Sequence, residues 1–319
     1  MPVTLTDEQA KNSASGLRAA AEVQVAIANL LDPLPQTTPP SGGGSTPAPS
    51  GFTGRTLGDP AVWKQQASFE ENFPTLAPRG QFLSIYKMWG AYPEHYLTTD
   101  KQGFYDPDNI AVVDADGIRA MELRVVSGKN NGTGKPSGAT PEARLLGPKK
   151  DGYTTGERIQ GRFKLLKPGP GGHFVPLGWP RRNSDWPKFG EPDYVEVGTD
   201  GSPKVAGWFH VQNGGSTGQG QVKLESDVSM LDWFTVTAER EPGKRYRWYV
   251  NGKLYRQVLS PRHANLMKPE EESRTTILKD PYDIPLYELR WPIQFESKGT
   301  GQKEDVVVLV DHWSLWERV

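Results

Sequence analysis

Apolar and polar positions alternate in short runs along most of the chain, and the clearest runs bracket turn dipeptides. Asn109 to Asp114 and Ile118 to Val126 flank Asp116-Gly117, while Tyr246 to Val250 and Lys253 to Val258 flank Asn251-Gly252. Dipeptides of this kind accept the positive φ angles of a two-residue turn, so both regions predict antiparallel hairpins. Further strands are predicted over Arg158 to Leu166, Asp193 to Val197, Val205 to Val211, Phe234 to Glu239, Ile284 to Phe295 and Asp305 to Trp316. The one helical pattern lies at the start. There Thr6 and Gln9 resemble a capping box, and Leu17, Ala20, Val23, Ile27 and Leu30 follow at spacings of three and four. From Asp32 to Gly54 the residues are nearly all Pro, Gly, Ser and Thr, a composition that makes a tether. The expected organisation is a helix over 1–32, a linker over 33–54 and one domain over 55–319.

Composition sharpens this picture. With 35 Gly and 28 Pro in 319 residues and a single helical stripe, many short strands joined by turns are favoured, which means an all-β, two-sheet antiparallel sandwich. A net charge of −1, with Lys and Arg dispersed along the chain, supplies no field to hold a polyanion, so nucleic acid is not expected as a partner. No cysteine is present, which excludes disulfides and thiolate metal sites. The first residues lack the uninterrupted apolar segment of a signal peptide, and no apolar run reaches membrane-spanning length; a soluble chain without membrane insertion is expected.

The densest chemistry lies in Gly190-Glu191-Pro192-Asp193-Tyr194-Val195-Glu196. Breaking a glycosidic bond takes two carboxyl groups beside one linkage, one to protonate the departing oxygen and one to attack the sugar carbon or activate water. In a regular strand Glu191 and Asp193 share a face, whereas Glu196, five positions beyond Glu191, points the other way. One β-bulge near Tyr194 and Val195 would add a residue and return Glu196 to the face of the other two. The spacing alone decides little in a chain with 38 acidic residues, and a polar stripe on a solvated strand has the same pattern.

The flanking residues give it context. Gly178-Trp179-Pro180, Trp186-Pro187 and then the acidic heptapeptide resemble the signature of glycoside hydrolase family 16, in which Trp-rich residues precede a Gly-Glu-x-Asp-x-x-Glu strand. Arg158 to Leu165 resembles that family's strand ending in Arg-x-Lys, Trp248 to Lys253 its Trp-Tyr-x-Asp-Gly hairpin, and Val310 to Trp316 its closing strand. The landmarks come in the family's order over Phe69 to Trp316. The resemblance implies a concanavalin A-like jelly roll and a retaining endo-glycosidase acting on a polymeric β-linked glycan such as a cell-envelope polysaccharide. Glu191 would be the nucleophile, Asp193 its hydrogen-bonded neighbour and Glu196 the general acid and then base, with Glu191 and Glu196 ~5–5.5 Å apart.

It further implies that His210 lines the cleft and that Asp311 can ligate a structural calcium ion, with no cofactor required. A buried or hairpin-end aspartate is the alternative for Asp311. Trp179, Trp186, Trp208 and Trp291 are candidate sugar platforms, since pyranose faces stack on flat apolar rings. Pro192 stands where the family prefers isoleucine, and Phe234, Val236 and Arg240 replace its usual His, Tyr and Trp. Those departures support the alternative of a non-catalytic carbohydrate-binding, receptor-binding module of the same fold. A helix on a tether without an export signal resembles the layout of phage minor tail proteins. By that analogy the chain would sit in a virion tail, partnered by other tail proteins through the N-terminal helix and forming a homo-oligomer such as a trimer.

Overall fold

The computed structural model describes residues 69–144, 156–212, 220–299 and 305–318. The expected helix over 1–32 and linker over 33–54 lie outside them. The strands that build the site and its support are β1 (Phe69–Glu71), β2 (Ile110–Ala115), β3 (Ile118–Val125), β4 (Glu157–Lys167), β5 (Gly172–Pro176), β6 (Glu191–Asp193), β7 (Val197–Gly198) and β8 (Lys204–His210). They continue with β9 (Gln221–Ser229), β10 (Phe234–Glu241), β11 (Arg245–Val250), β12 (Lys253–Leu259), β13 (Thr275–Ile277), β14 (Ile293–Ser297) and β15 (Val306–Glu317). The four-residue Phe82–Ile85 is the only α-helix among the described residues.

The larger sheet has nine strands in the order β13-β12-β11-β10-β4-β15-β3-β2, with β1 added alongside β15. Its pairs are antiparallel except β12 with β13. Both expected hairpins are present, β2 with β3 and β11 with β12, and Asp116, Gly117, Asn251 and Gly252 all take positive φ, as the two-residue turn demands. Strand β11 shows the alternation that sets register: Tyr246, Trp248 and Val250 are buried while the residues between them are partly exposed. Central β15 is buried along almost its whole length, and its first five residues, Val306 to Val310, accordingly read as a continuous apolar run.

The second layer holds β6-β8-β9 and β7-β5-β14, each in that order. The apolar core packs Phe163, Phe234, Trp248 and Trp313 of the larger sheet with Phe174, Tyr194, Phe209 and Phe295 of the smaller one. This is the expected two-sheet sandwich. Three details differ from the strand pattern read along the chain. Strands β1, β5, β9 and β13 were not anticipated, although in β9 Val222 and Leu224 alternate with Lys223 and Glu225 as a half-buried strand should. The run from Ile284 to Phe295 is extended only at Leu289–Arg290 and from Ile293 onward, because Pro285 and Pro292 interrupt it. The run from Asp193 to Val197 is broken in its middle.

That break is the bulge. Asp193 pairs with Trp208, yet the N–H of Glu196 donates to the carbonyl of Ala206 at 2.8 Å, so three steps along one strand match two on its neighbour. Tyr194 and Val195 both turn into the core, each fully buried. The irregularity is held from the opposite sheet. Trp248 donates its indole N–H to the carbonyl of Tyr194 at 2.9 Å, and Trp313 donates to the Tyr194 hydroxyl at 3.1 Å.

Trp248→Phe keeps an aromatic ring but leaves the Tyr194 carbonyl buried without its donor. The expected cost is roughly 1–3 kcal/mol of stability, read as a lowered urea midpoint with an unchanged slope; a midpoint equal to that of the parent would show that the bulge holds itself.

Candidate active site

Gly190 leads into the acidic strand with φ +72°, and a Cβ there would lie 2.4 Å from Pro285 and 2.8 Å from the His210 carbonyl, so only glycine fits. From this turn Glu191 pairs with His210 and Asp193 with Trp208; directly opposed residues share a face, which puts these four side chains together. Pro192 points into the sandwich. Its carbonyl accepts from the Gly178 N–H at 2.9 Å, on the side away from β8, so the missing proline N–H falls where pairing is reduced to isolated bridges. The proline therefore removes nothing from the β6–β8 ladder.

The bulge brings Glu196 to the same group. Burial pushes the Glu191 carboxyl well above the ordinary range, and repulsion from Asp193 and Glu196 adds to this, while His210 and the Trp186 indole pull it down. Asp193 is likewise pushed well up, first by burial and then by Glu196. The coupling of Glu191 with Asp193 means that these two carboxyls titrate together and retain a proton between them. Asp193 is 2% exposed, and its Oδ1 has no donor, which suits a carboxyl that itself carries hydrogen. Glu191 keeps one oxygen fixed by the Trp186 indole N–H at 2.7 Å.

His210 braces the centre from β8. Gln221 Nε2 lies 2.9 Å from His210 Nδ1, and an amide N–H can only donate, so the ring proton sits on Nε2, 3.2 Å from Asp193 Oδ2. Glu191, Asp193 and His210 each bring one donor atom within 4.8 Å of the others, a spacing that could surround a cation. The burial of both carboxyls, which raises them, equally suits a shared proton at this place.

The expected platforms divide. Trp179 and Trp186 lie parallel, with centroids 6.3 Å apart at 10°, and both are partly exposed beside Glu191. Trp208 is partly exposed across from Asp193. Trp291 is a correction: it is 1% exposed, tilted against Tyr194 in the core, and presents no face to a sugar. Asp311 is a second correction. Its carboxylate is buried and bound by the Arg162 guanidinium, which is the buried-aspartate alternative. Sequence reading missed a second polar group beside Glu196, made of His173, Glu296 and Lys298. It also missed the tight stack of Phe189 on Tyr287, 3.6 Å between centroids. These residues are far apart along the chain, and no local spacing links them.

The raised carboxyls have a stability consequence. The folded chain binds more protons than the unfolded chain once pH exceeds the ordinary Asp193 value of 3.8, so their contribution is full below that value and is lost as pH climbs toward the raised one. Asp193→Asn, which carries hydrogen at every pH, is expected to raise the calorimetric midpoint relative to the parent more at pH 8 than at pH 4. A difference that does not vary with pH would mean that no proton is retained.

No family model matches the sequence, and no curated protein matches it. Solved structures do match. An endo-β-1,3-glucanase from Pyrococcus furiosus superposes with a TM-score of 0.57 at 14% identity, over 82% of this chain and 99% of that one. The glycoside hydrolase family 16 protein of the mixed-linkage glucan PUL of Bacteroides ovatus, solved with G4G4G3G product, gives 0.53 at 15%, covering 77% and 99%. An immunostimulatory antigen and pseudo β-1,3-glucanase of Mycobacterium tuberculosis gives 0.52 at 16%, covering 78% and 98%. At such identities the likeness is one of fold: the domain is a jelly-roll sandwich of the kind seen in family 16 glucanases.

Proposed function

We propose that the protein is a retaining endo-glycosidase acting on a polymeric β-linked glycan. The observation that carries this reading is the bulge, which gathers Glu191, Asp193 and Glu196 on one face although their spacing in a regular strand would separate them. In the first step Glu191 attacks the anomeric carbon while Glu196 protonates the departing sugar oxygen. In the second, Glu196 takes a proton from water as that water releases the glycosyl group from Glu191. Asp193, braced by His210, lends a proton to Glu191 when the nucleophile is a leaving group and withdraws it when the nucleophile must attack. Trp179, Trp186 and Trp208 give apolar faces on which successive sugar rings can stack.

A cell-envelope polysaccharide is the substrate class that suits the expected setting in a virion tail. That setting rests on the sequence of residues 1–54 and is tested by whether antibodies to the chain label purified particles.

The decisive comparison uses the parent and Glu191→Gln on laminarin, mixed-linkage β-glucan, galactans and envelope polysaccharides, scoring reducing ends and retention on immobilised glycan in parallel. The parent is expected to release reducing ends and Glu191→Gln to lose this by several orders of magnitude while still binding. Equal binding with no release by either overturns the enzyme in favour of a carbohydrate-binding module. Trp208→Ala is expected to raise KM roughly 3- to 10-fold with kcat little changed, the loss of one stacking face; a fall in kcat alone would remove Trp208 from substrate binding.

A further inference from the structure

Beside Glu196 lies a second polar group, the buried His173 and Glu296 with the exposed Lys298, that the two-carboxylate scheme does not use. His173 on β5 stands opposite Glu296 on β14 and opposite Gly198 on β7, so its ring sits between the strand carrying Glu296 and the end of the bulge. Its Nε2 is 3.5 Å from Glu196 Oε1 and 3.1 Å from Lys298 Nζ, and its Nδ1 is 3.9 Å from Glu296 Oε1. One imidazole is thus bracketed by two carboxylates and a lysine.

Glu296 is built to remain an anion. It is 2% exposed, and its Oε2 alone receives three donors: the Tyr105 hydroxyl at 2.6 Å, the Thr99 N–H at 2.9 Å and the Thr99 hydroxyl at 3.1 Å. His173 and these donors hold its carboxyl below the ordinary range despite burial. With Oε2 filled, the other oxygen is left facing His173 Nδ1. The Thr99 segment is fixed in turn, since Asp100 Oδ2 accepts from the Gly299 N–H at 2.7 Å, next to Lys298. A buried anion with one oxygen committed and one facing an imidazole costs desolvation that a purely apolar contact would avoid, and the other edge of that imidazole meets Glu196.

We propose that His173 is a positioning residue for Glu196: anchored by Glu296 behind and Lys298 beside it, its Nε2 edge orients the Glu196 carboxyl and meets it in both protonation states. When Glu196 carries its proton, Lys298 donates to the Nε2 lone pair. After Glu196 has given the proton to the departing oxygen, its negative carboxylate finds the Lys298 ammonium at the same Nε2 edge, and the ring neither gains nor loses a proton. The charged and titratable groups around the ring are therefore Glu196, Glu296 and Lys298, with Asp193 facing Lys298 and Tyr105 behind Glu296. The inference rests on the glycosidase reading of Glu196 for its consequence in catalysis, though not for the contact itself.

The contact is tested without any turnover. In the full-length protein, imidazole ¹⁵N resonances are recorded at pH 6 to 8, and His173 is assigned by the signal missing from His173→Gln. Glu196→Gln and Glu296→Gln are each expected to shift the His173 Nε2 and Nδ1 signals, respectively. Unmoved signals in Glu196→Gln overturn the proposal whether or not the protein hydrolyses anything. Kinetics then test the consequence with laminaribiosides bearing a dinitrophenyl or a methyl leaving group, since an activated phenolate needs no proton from an acid. His173→Ala is expected to lose about 10- to 100-fold in kcat/KM on the methyl glycoside and less than about 3-fold on the dinitrophenyl one, with His173→Gln restoring part of the loss. Equal losses on both substrates reduce His173 to a packing role and leave the glycosidase reading standing; a parent inert to both, with the ¹⁵N shifts seen, sinks that reading and leaves the contact.

Discussion

Two indole N–H groups reaching across the sandwich hold the site together. A bulge leaves backbone groups without ladder partners, and a buried carbonyl in that position costs about as much as a lost hydrogen bond. Here Trp248 answers the Tyr194 carbonyl and Trp313 the Tyr194 hydroxyl, so the larger sheet stabilises the irregularity of the smaller one. The packing of the core and the geometry of the acidic face are therefore one constraint. Without these donors a regular strand would satisfy its own backbone and carry Glu196 to the opposite face.

Electrostatics builds on that geometry. Asp193 is almost wholly removed from water, yet it lies between two further acids, an arrangement that opposes folding wherever all three would be ionised. The surroundings answer by retaining hydrogen rather than by supplying a full countercharge: Trp186 and His210 donate from the rim, and the pair of arginine and aspartate at Arg162 and Asp311 lies elsewhere, in the larger sheet. Around Glu196 the solution is different. His173, Lys298 and the anionic Glu296 give it partners of both signs. Two adjacent carboxyl environments thus differ: burial leads Glu191 and Asp193 to hold hydrogen, while Glu196 lies beside the His173 imidazole.

The fold was largely legible because its signals are local. Turn dipeptides with positive φ sit where Asp116-Gly117 and Asn251-Gly252 placed them, and alternation along β11 marks the buried face residue by residue. Legibility failed where burial is two-sided or the segment is short. All five residues of β5 are buried, so no alternation announces the strand that carries His173. Trp291 shows the same limit for sites, since a tryptophan in the core and one facing solvent read alike in sequence.

Sequence alone determined the sandwich, the acidic heptapeptide and the need for one extra residue between Asp193 and Glu196, because period-two geometry makes face a matter of counting. Tertiary structure decided which partners each acid meets. His173, Thr99, Tyr105 and Glu296 come from strands and turns up to 197 positions apart, and only the stacking of one strand against the next brings them together. It decided likewise that Asp311 faces an arginine and that Pro192 turns its missing N–H away from β8. Hydrogen bonding and charge are short-ranged in space and indifferent to separation along the chain, so they become readable only once the sheets are in register.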